Sequence, residues 1–214
     1  MKFAASRGTI RIRKPRLAAV ILIVAGVVAG PARAAAQTSL PSRAQPVGVP
    51  LATIITFGNQ YEGGDELYDA KITVLEIVRG NKAWAAIEQA GASNQPPKQG
   101  LEYLLARIRF AYSARTKPGE RVYSLDPNQF TAINSQGAAY SAPLLAAAPK
   151  PELRAALHSG DSVEGWVAFE VPHNNRSPLM MFQPYTGSVF NEGGASFFKL
   201  YQSSAVVPSG PPRR

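Results

Sequence analysis

Two stretches of the chain alternate apolar and polar residues with the period of two that marks a strand buried on one side. In Leu101–Tyr112, one face carries Leu104, Ala106, Ile108, Phe110 and Tyr112, and the other carries Tyr103, Leu105, Arg107 and Arg109. In Val163–Val171, one face carries Val163, Val167, Phe169 and Val171, and the other carries Glu164, Trp166 and Glu170. Shorter runs at Leu51–Phe57, Ala70–Arg79, Gln129–Ile133, near Tyr140, Leu179–Phe182 and Phe197–Tyr201 read as further strands. Pro127, Pro143, Pro172, Pro178 and Pro184 stand at the ends of these runs, where a missing N–H donor does least harm. Two segments read as helices. Asn81 is placed to cap Lys82–Ala90, with Gly91 as its stop and an apolar stripe of Trp84, Ile87 and Ala90. Pro151–Leu157 is the second, shorter one, with proline in its first turn. Many short strands with one or two helical insertions predict an all-β fold, an antiparallel sandwich of two sheets over residues 49–202.

Three segments carry a family likeness: VLEIVRGNKAW at 74–84, PPKQGLEYLLARIR at 96–109, and GDSVEGWVAFEVP at 160–172. The last is the most specific, with its Gly165-Trp166 pair and its FEVP ending. Together they resemble the secreted bacterial immunoglobulin-like domains of unknown function, related in fold to the immunoprotective extracellular antigens. The likeness spans roughly residues 50–201 and implies an immunoglobulin-like β-sandwich located outside the cytoplasm. It implies no catalytic residues. Members of the family often follow a lipoprotein cysteine and a long low-complexity linker, and this chain carries neither.

Charge placement changes the picture of the whole. The chain of 214 residues has a formal net charge of +9, which alone would suggest a nucleic-acid or membrane-surface partner. Seven of its 23 basic residues lie within the first 36 positions, and all 14 acidic residues lie beyond them. From Gln37 onward the balance is 16 basic against 14 acidic residues, so the nucleic-acid reading is dropped. The basic stretch ending at Arg16 precedes an uncharged run, Leu17–Gly30, and then small residues around Ala34 and Ala36. That order predicts a cleaved secretory signal over 1–36, cut after Ala34 or Ala36. Fourteen residues are short of the ~20 that cross a bilayer, so membrane contact is expected only through this leader before cleavage. Residues 37–48 read as a flexible linker, and residues 203–214, rich in proline, as a disordered tail.

Candidate chemistry is sparse. There is no cysteine, which removes disulfides, thiol nucleophiles and thiolate metal sites together. His158 and His173 are the only histidines and read as polar loop residues, and no nucleophile-elbow motif is present. Met180 and Met181 with His173 have the ligand types of a copper site, but adjacent strand residues face opposite ways, so core packing is the better account. The acidic turn of Glu62, Asp65, Glu66 and Asp69 around Gly63 and Gly64 could offer oxygen ligands to Ca²⁺, without the spacing of an EF-hand. No catalytic residue, cofactor or metal site is therefore assigned.

The remaining signal is the polar face of the two alternating strands. If they are neighbours in one sheet, Tyr103, Arg107, Arg109, Glu164, Trp166 and Glu170 share a surface, and a tryptophan flanked by arginines is the composition of a binding hot spot. The competing reading covers Trp166 with the 81–90 helix and closes the charges into cross-strand pairs. The expected function is a non-catalytic binding or adhesion module of the cell envelope or extracellular space, for an unknown protein or glycan. An envelope ligand or metal carrier (Ca²⁺ or Cu) is the alternative, and an enzyme a distant third.

Overall fold

The computed structural model describes residues 40–57, 66–115, 121–184 and 194–202. Residues 1–39, expected to hold the leader and the start of the linker, residues 62–65 of the acidic turn, and the expected C-terminal tail at 203–214 lie outside the described residues. Nine strands, one α-helix and two short 3₁₀ turns are found among the described residues. The fold is all-β and sandwich-like, as the alternation predicts. Strands β1 (Leu51–Phe57), β2 (Glu66–Arg79), β3 (Leu101–Ala114) and β7 (Ser162–Pro172) form one antiparallel sheet in the order β1-β2-β3-β7. Strands β5 (Phe130–Ile133), β8 (Leu179–Phe182) and β9 (Ser196–Lys199) form a second, in the order β5-β8-β9. Two strands of three residues, β4 (Tyr123–Leu125) and β6 (Ala155–Leu157), pair with each other.

The core lies where the inward parities meet. Ile108, Phe110 and Tyr112 of β3, Val167 and Val171 of β7, Ile72 and Val74 of β2, and Met180 and Phe182 of β8 belong to one buried apolar cluster. Aromatic rings tie its parts together: Phe110 stacks on Tyr123 at 5.6 Å and meets Phe182 edge-on at 5.6 Å. Burial, more than any other influence, pushes the Tyr112 hydroxyl well above its ordinary range, so it stays protonated. In β2 the alternation breaks at Leu75, where the register with β3 slips between Val74 and Glu76. This bulge re-phases the strand, so that Ile77 rather than Val78 packs against the main core.

Three expectations need correction. Pro151–Leu157 is not a helix: residues 151–153 run beside β7, and Ala155–Leu157 is β6. Leu153 is wholly buried in the core there. The helix α1 (Asn81–Ala90) does form, but the capping position is Gly80, at φ +62°, and Asn81 is already inside the first turn. Residues 40–48, expected as part of a flexible linker, include a docked stretch. Ala44 is buried beside Ile133, Leu179 and Phe197, and Gln45 forms a parallel bridge to Phe198 of β9. Its N–H donates to the Phe197 carbonyl at 2.9 Å, and its carbonyl accepts from the Lys199 N–H at 2.7 Å.

Candidate functional site

Strands β3 and β7 are neighbours, with Tyr103 opposite Glu170, Arg107 opposite Trp166 and Arg109 opposite Glu164. All six predicted residues therefore lie on the outer face of the first sheet, but that face is divided. At one end α1 lies across it. Ala83 and Ile87, four apart on the helix, are buried against Tyr103 and Leu105, with Val78, Trp84, Trp166 and Ala168 packed around them. At the other end the face is open, and Arg107, Arg109 and Glu164 meet there.

Each residue's role follows from the side of this division on which it falls. Tyr103 is 4% exposed, stacks against Trp84 at 6.0 Å and donates its hydroxyl proton to the Gln95 carbonyl at 3.0 Å. Burial first, and the nearby Glu170 carboxylate second, raise its pKa. Glu170 is also buried, and its carboxylate accepts the Lys98 N–H at 3.0 Å. Neither is available as a surface contact, which corrects the expectation for both. On the open end, Glu164 accepts from Arg107 at 2.9 Å and from Arg109 Nε at 2.7 Å. The Arg109 hydrogen bond chiefly holds the Glu164 carboxyl below its ordinary range. This exposed triad satisfies itself, and pairs of this kind contribute little to stability or affinity.

Trp166 is half-buried and sits on the boundary. It lines two adjoining clefts. One, of about 310 Å³, opens between α1 and Pro149-Lys150 over Leu105 and Val78. The other, of about 260 Å³, lies between β7 and β5, walled by Tyr140–Pro143 and by Glu152 and Arg154. A strap made of residues 141–153 separates the two. Its first anchor is Asn94, 6% exposed, whose Nδ2 donates to the carbonyls of Ile87 at 2.7 Å and Ala147 at 2.8 Å. Asn94 Oδ1 accepts the N–H groups of Ala146 at 2.8 Å and Ala147 at 3.1 Å. The second anchor is the edge of β7: the Trp166 N–H donates to the Pro151 carbonyl at 2.8 Å, and the Leu153 N–H donates to the Trp166 carbonyl at 3.1 Å. Asn94→Ala removes four hydrogen bonds to main-chain groups at once, and the expected loss is about 2–3 kcal/mol by urea denaturation. A loss indistinguishable from zero would mean that the strap is held elsewhere.

The other candidates are absorbed by the fold. Met180 is fully buried in the main core and Met181 packs against a smaller one. His173 Nδ1 lies 2.9 Å from the Gly100 carbonyl. His158 sits in a turn, its N–H donating to Asp161 at 2.7 Å. Of the acidic turn, Glu66 pairs with Arg121 at 3.2 Å and Asp69 with Arg115 at 2.7 Å. Among the described residues no group of three or more His, Asp or Glu side chains converges, and no helix is long and apolar enough to cross a membrane. Sequence reasoning missed Asn94, the strap and both clefts; Pro143 and Pro149, at the two ends of 143–149, were the visible sign of a non-helical segment.

No curated protein matches the chain. Two solved structures resemble it. One is ycdA of Bacillus subtilis, a candidate lipoprotein, at 13% identity and TM-score 0.42 over 61% of this chain and 35% of that one. The other is the yjhA protein of Bacillus subtilis, at 13% identity and TM-score 0.41 over 72% of this chain and 98% of that one. The chain spans about a third of the length of the first. A family profile matches residues 68–193, from within β2 through β8, and more than half of the sequence is thereby covered. The chain belongs to the family described as a domain of unknown function, DUF4352.

Proposed function

We propose that the domain is a non-catalytic binding module acting outside the cytoplasm, in the cell envelope or extracellular space, and that it recognises a protein or glycan through the clefts beside Trp166. The observation that carries this reading is the position of Trp166: a half-buried aromatic side chain that lines two clefts at once, between a helix and a strap. Aromatic side chains in partly enclosed pockets supply large contact area at low entropic cost. The open end of the sheet face is the weaker site, because its two arginines are already paired with Glu164. Export is inferred from the leader pattern of basic, apolar and small residues in order. Kinship with immunoglobulin-like domains belongs to the same reading. It rests on the three resembling segments and on the division of strands into four and three, while direct pairing of β2 with β3 departs from the constant-type strand order.

The test is capture from envelope extract and culture medium by the purified protein, beside Trp166→Ala and Arg107→Glu. We expect a partner to be retained by the parent and by Arg107→Glu, and retention to fall at least about ten-fold with Trp166→Ala, the scale of a hot-spot truncation. Loss with Arg107→Glu alone would move the site to the open face. Turnover of a substrate that survives purification and vanishes with one substitution would overturn the non-catalytic reading.

A further inference from the structure

The cleft between β5 and β7 has a feature that side chains do not explain. In an antiparallel pair, alternate residues direct both main-chain groups toward the partner strand, and the intervening residues direct both away. Trp166 directs its N–H and C=O away from β3, since both bond the strap. Ala168 and Glu170, two and four residues on, therefore point the same way, while Val167 and Phe169 face β3. The strap runs parallel to β7 at Glu152, but it does not follow the edge further. It turns at Arg154, whose N–H donates to the Glu152 carbonyl at 2.9 Å, and continues into β6 against β4. Among the described residues, strand β7 is the last of its sheet, and no ladder continues along this edge beyond Trp166. The main-chain N–H and C=O of Ala168 thus face a cleft of about 260 Å³.

From this edge we infer that the cleft accepts an extended peptide segment, which continues the line of the strap by pairing its main chain with Ala168. The inference rests on the reading of this region as a binding site and names the class of partner. Exposed strand edges are templates for strand addition, and main-chain pairing gives affinity while side-chain pockets give selectivity. The surroundings fit an extended strand. The cleft is lined by strand residues on two sides, Thr131 and Ala132 of β5 and Ala168 of β7, and a strand edge offers its main-chain groups to an extended segment. The opposite edge is blocked for further pairing at Ala132, whose carbonyl accepts the Tyr140 N–H at 2.8 Å. The incoming segment therefore pairs on the β7 side. Apolar side chains of the peptide would meet Trp166 and Leu145 on one face, and polar ones would meet Glu152, Arg154 and Ser141 at the rim.

The probe is a mixture of blocked pentapeptides randomised over valine, threonine, leucine, alanine and serine, titrated into ¹⁵N-labelled protein. A second mixture carries N-methyl groups on its internal amides. In the unliganded protein the Ala168 amide is expected to exchange with solvent faster than those of Val167 and Phe169. The first mixture should shift the Ala168 resonance and slow its exchange, and the N-methylated mixture should bind roughly ten-fold more weakly, the equivalent of one or two main-chain hydrogen bonds. Ala168→Pro removes the edge donor without touching a β3–β7 bond, since proline is tolerated on edge strands, and should produce the same loss. If that variant does not fold, the N-methylated mixture decides. Equal binding of both mixtures would overturn strand pairing and leave recognition by Trp166 intact. No shift at Ala168 with either mixture at millimolar concentration would also overturn it, and the capture experiment above then judges the broader reading on its own.

Discussion

Phe110→Ala is expected to destabilise the protein by about 3–5 kcal/mol, the largest effect of any single truncation in the core. Phe110 lies on the inward parity of β3, is fully buried, and touches all three sheets: its own, the small pair through Tyr123, and the second large sheet through Phe182. Removing the ring loses apolar burial and two aromatic contacts, each worth about 0.5–1.5 kcal/mol beyond its area. It also leaves a cavity that three rigid layers cannot collapse together to fill. Against a typical total of about 5–15 kcal/mol, this approaches half of the stability of a domain. Thermal denaturation should show a fall of roughly 8–16 °C. Phe110→Leu, which keeps most of the volume, should lose less than half as much. A change below about 1 kcal/mol for the alanine variant would mean that the sheets do not meet over this ring.

Gly165→Ala is expected to destabilise by about 3 kcal/mol through the opposite fault, too much volume rather than too little. An added Cβ would stand 2.5 Å from the Leu153 nitrogen, 2.6 Å from its Cα and 2.7 Å from the Glu152 carbonyl carbon. These are main-chain atoms of the strap and cannot rotate away, as a side chain could. Relief requires the strap to leave β7, which breaks its two hydrogen bonds to Trp166 and draws Leu153 out of the core. Gly194→Ala, where nothing among the described residues lies within 4 Å, is the control and should be neutral. The readouts are urea denaturation and partner capture. Both should fall for Gly165→Ala, because the strap forms a wall of each cleft. A neutral result at both positions would show that the strap is loosely held.

The Gly165-Trp166 dipeptide is where the sequence was most informative and also where it stopped. Alternation along 101–112 and 163–171 specified both strands, their inward faces and, once they were set side by side, the shared outer face. That succeeded because period-two patterning is a local property and each residue reports its own side. What covers a face is not local. Nothing in Tyr103 or Glu170 indicates that residues 91–98 would close over them, and a buried carboxylate bonded to a backbone N–H looks, in sequence, like any exposed one. The misreading of 151–157 has a similar cause. Its Glu, Leu, Arg and Ala residues favour a helix intrinsically, but burial of Leu153 and pairing of Ala155–Leu157 with Tyr123–Leu125 outweigh a preference of a few tenths of a kcal/mol per residue. Strands of three residues, such as β4 and β6, are too short to show any period. The bulge at Leu75 is hidden because Val74 and Leu75 are adjacent apolar residues, either of which can be read as the inward one.

The parallel bridge between Gln45 and Phe198 has a mechanical consequence. One partner belongs to the segment that enters the domain and the other to the strand that precedes its exit, and the two run in the same direction. If the chain is pulled from residues 40 and 202, the entering segment is drawn backward and the last strand forward, so they slide along each other. The bonds from Gln45 to Phe197 and Lys199 then bear load together, in shear, instead of parting one at a time like a zip. A domain tethered at one end and tugged at the other would therefore hold together until the joint where its two ends meet has sheared.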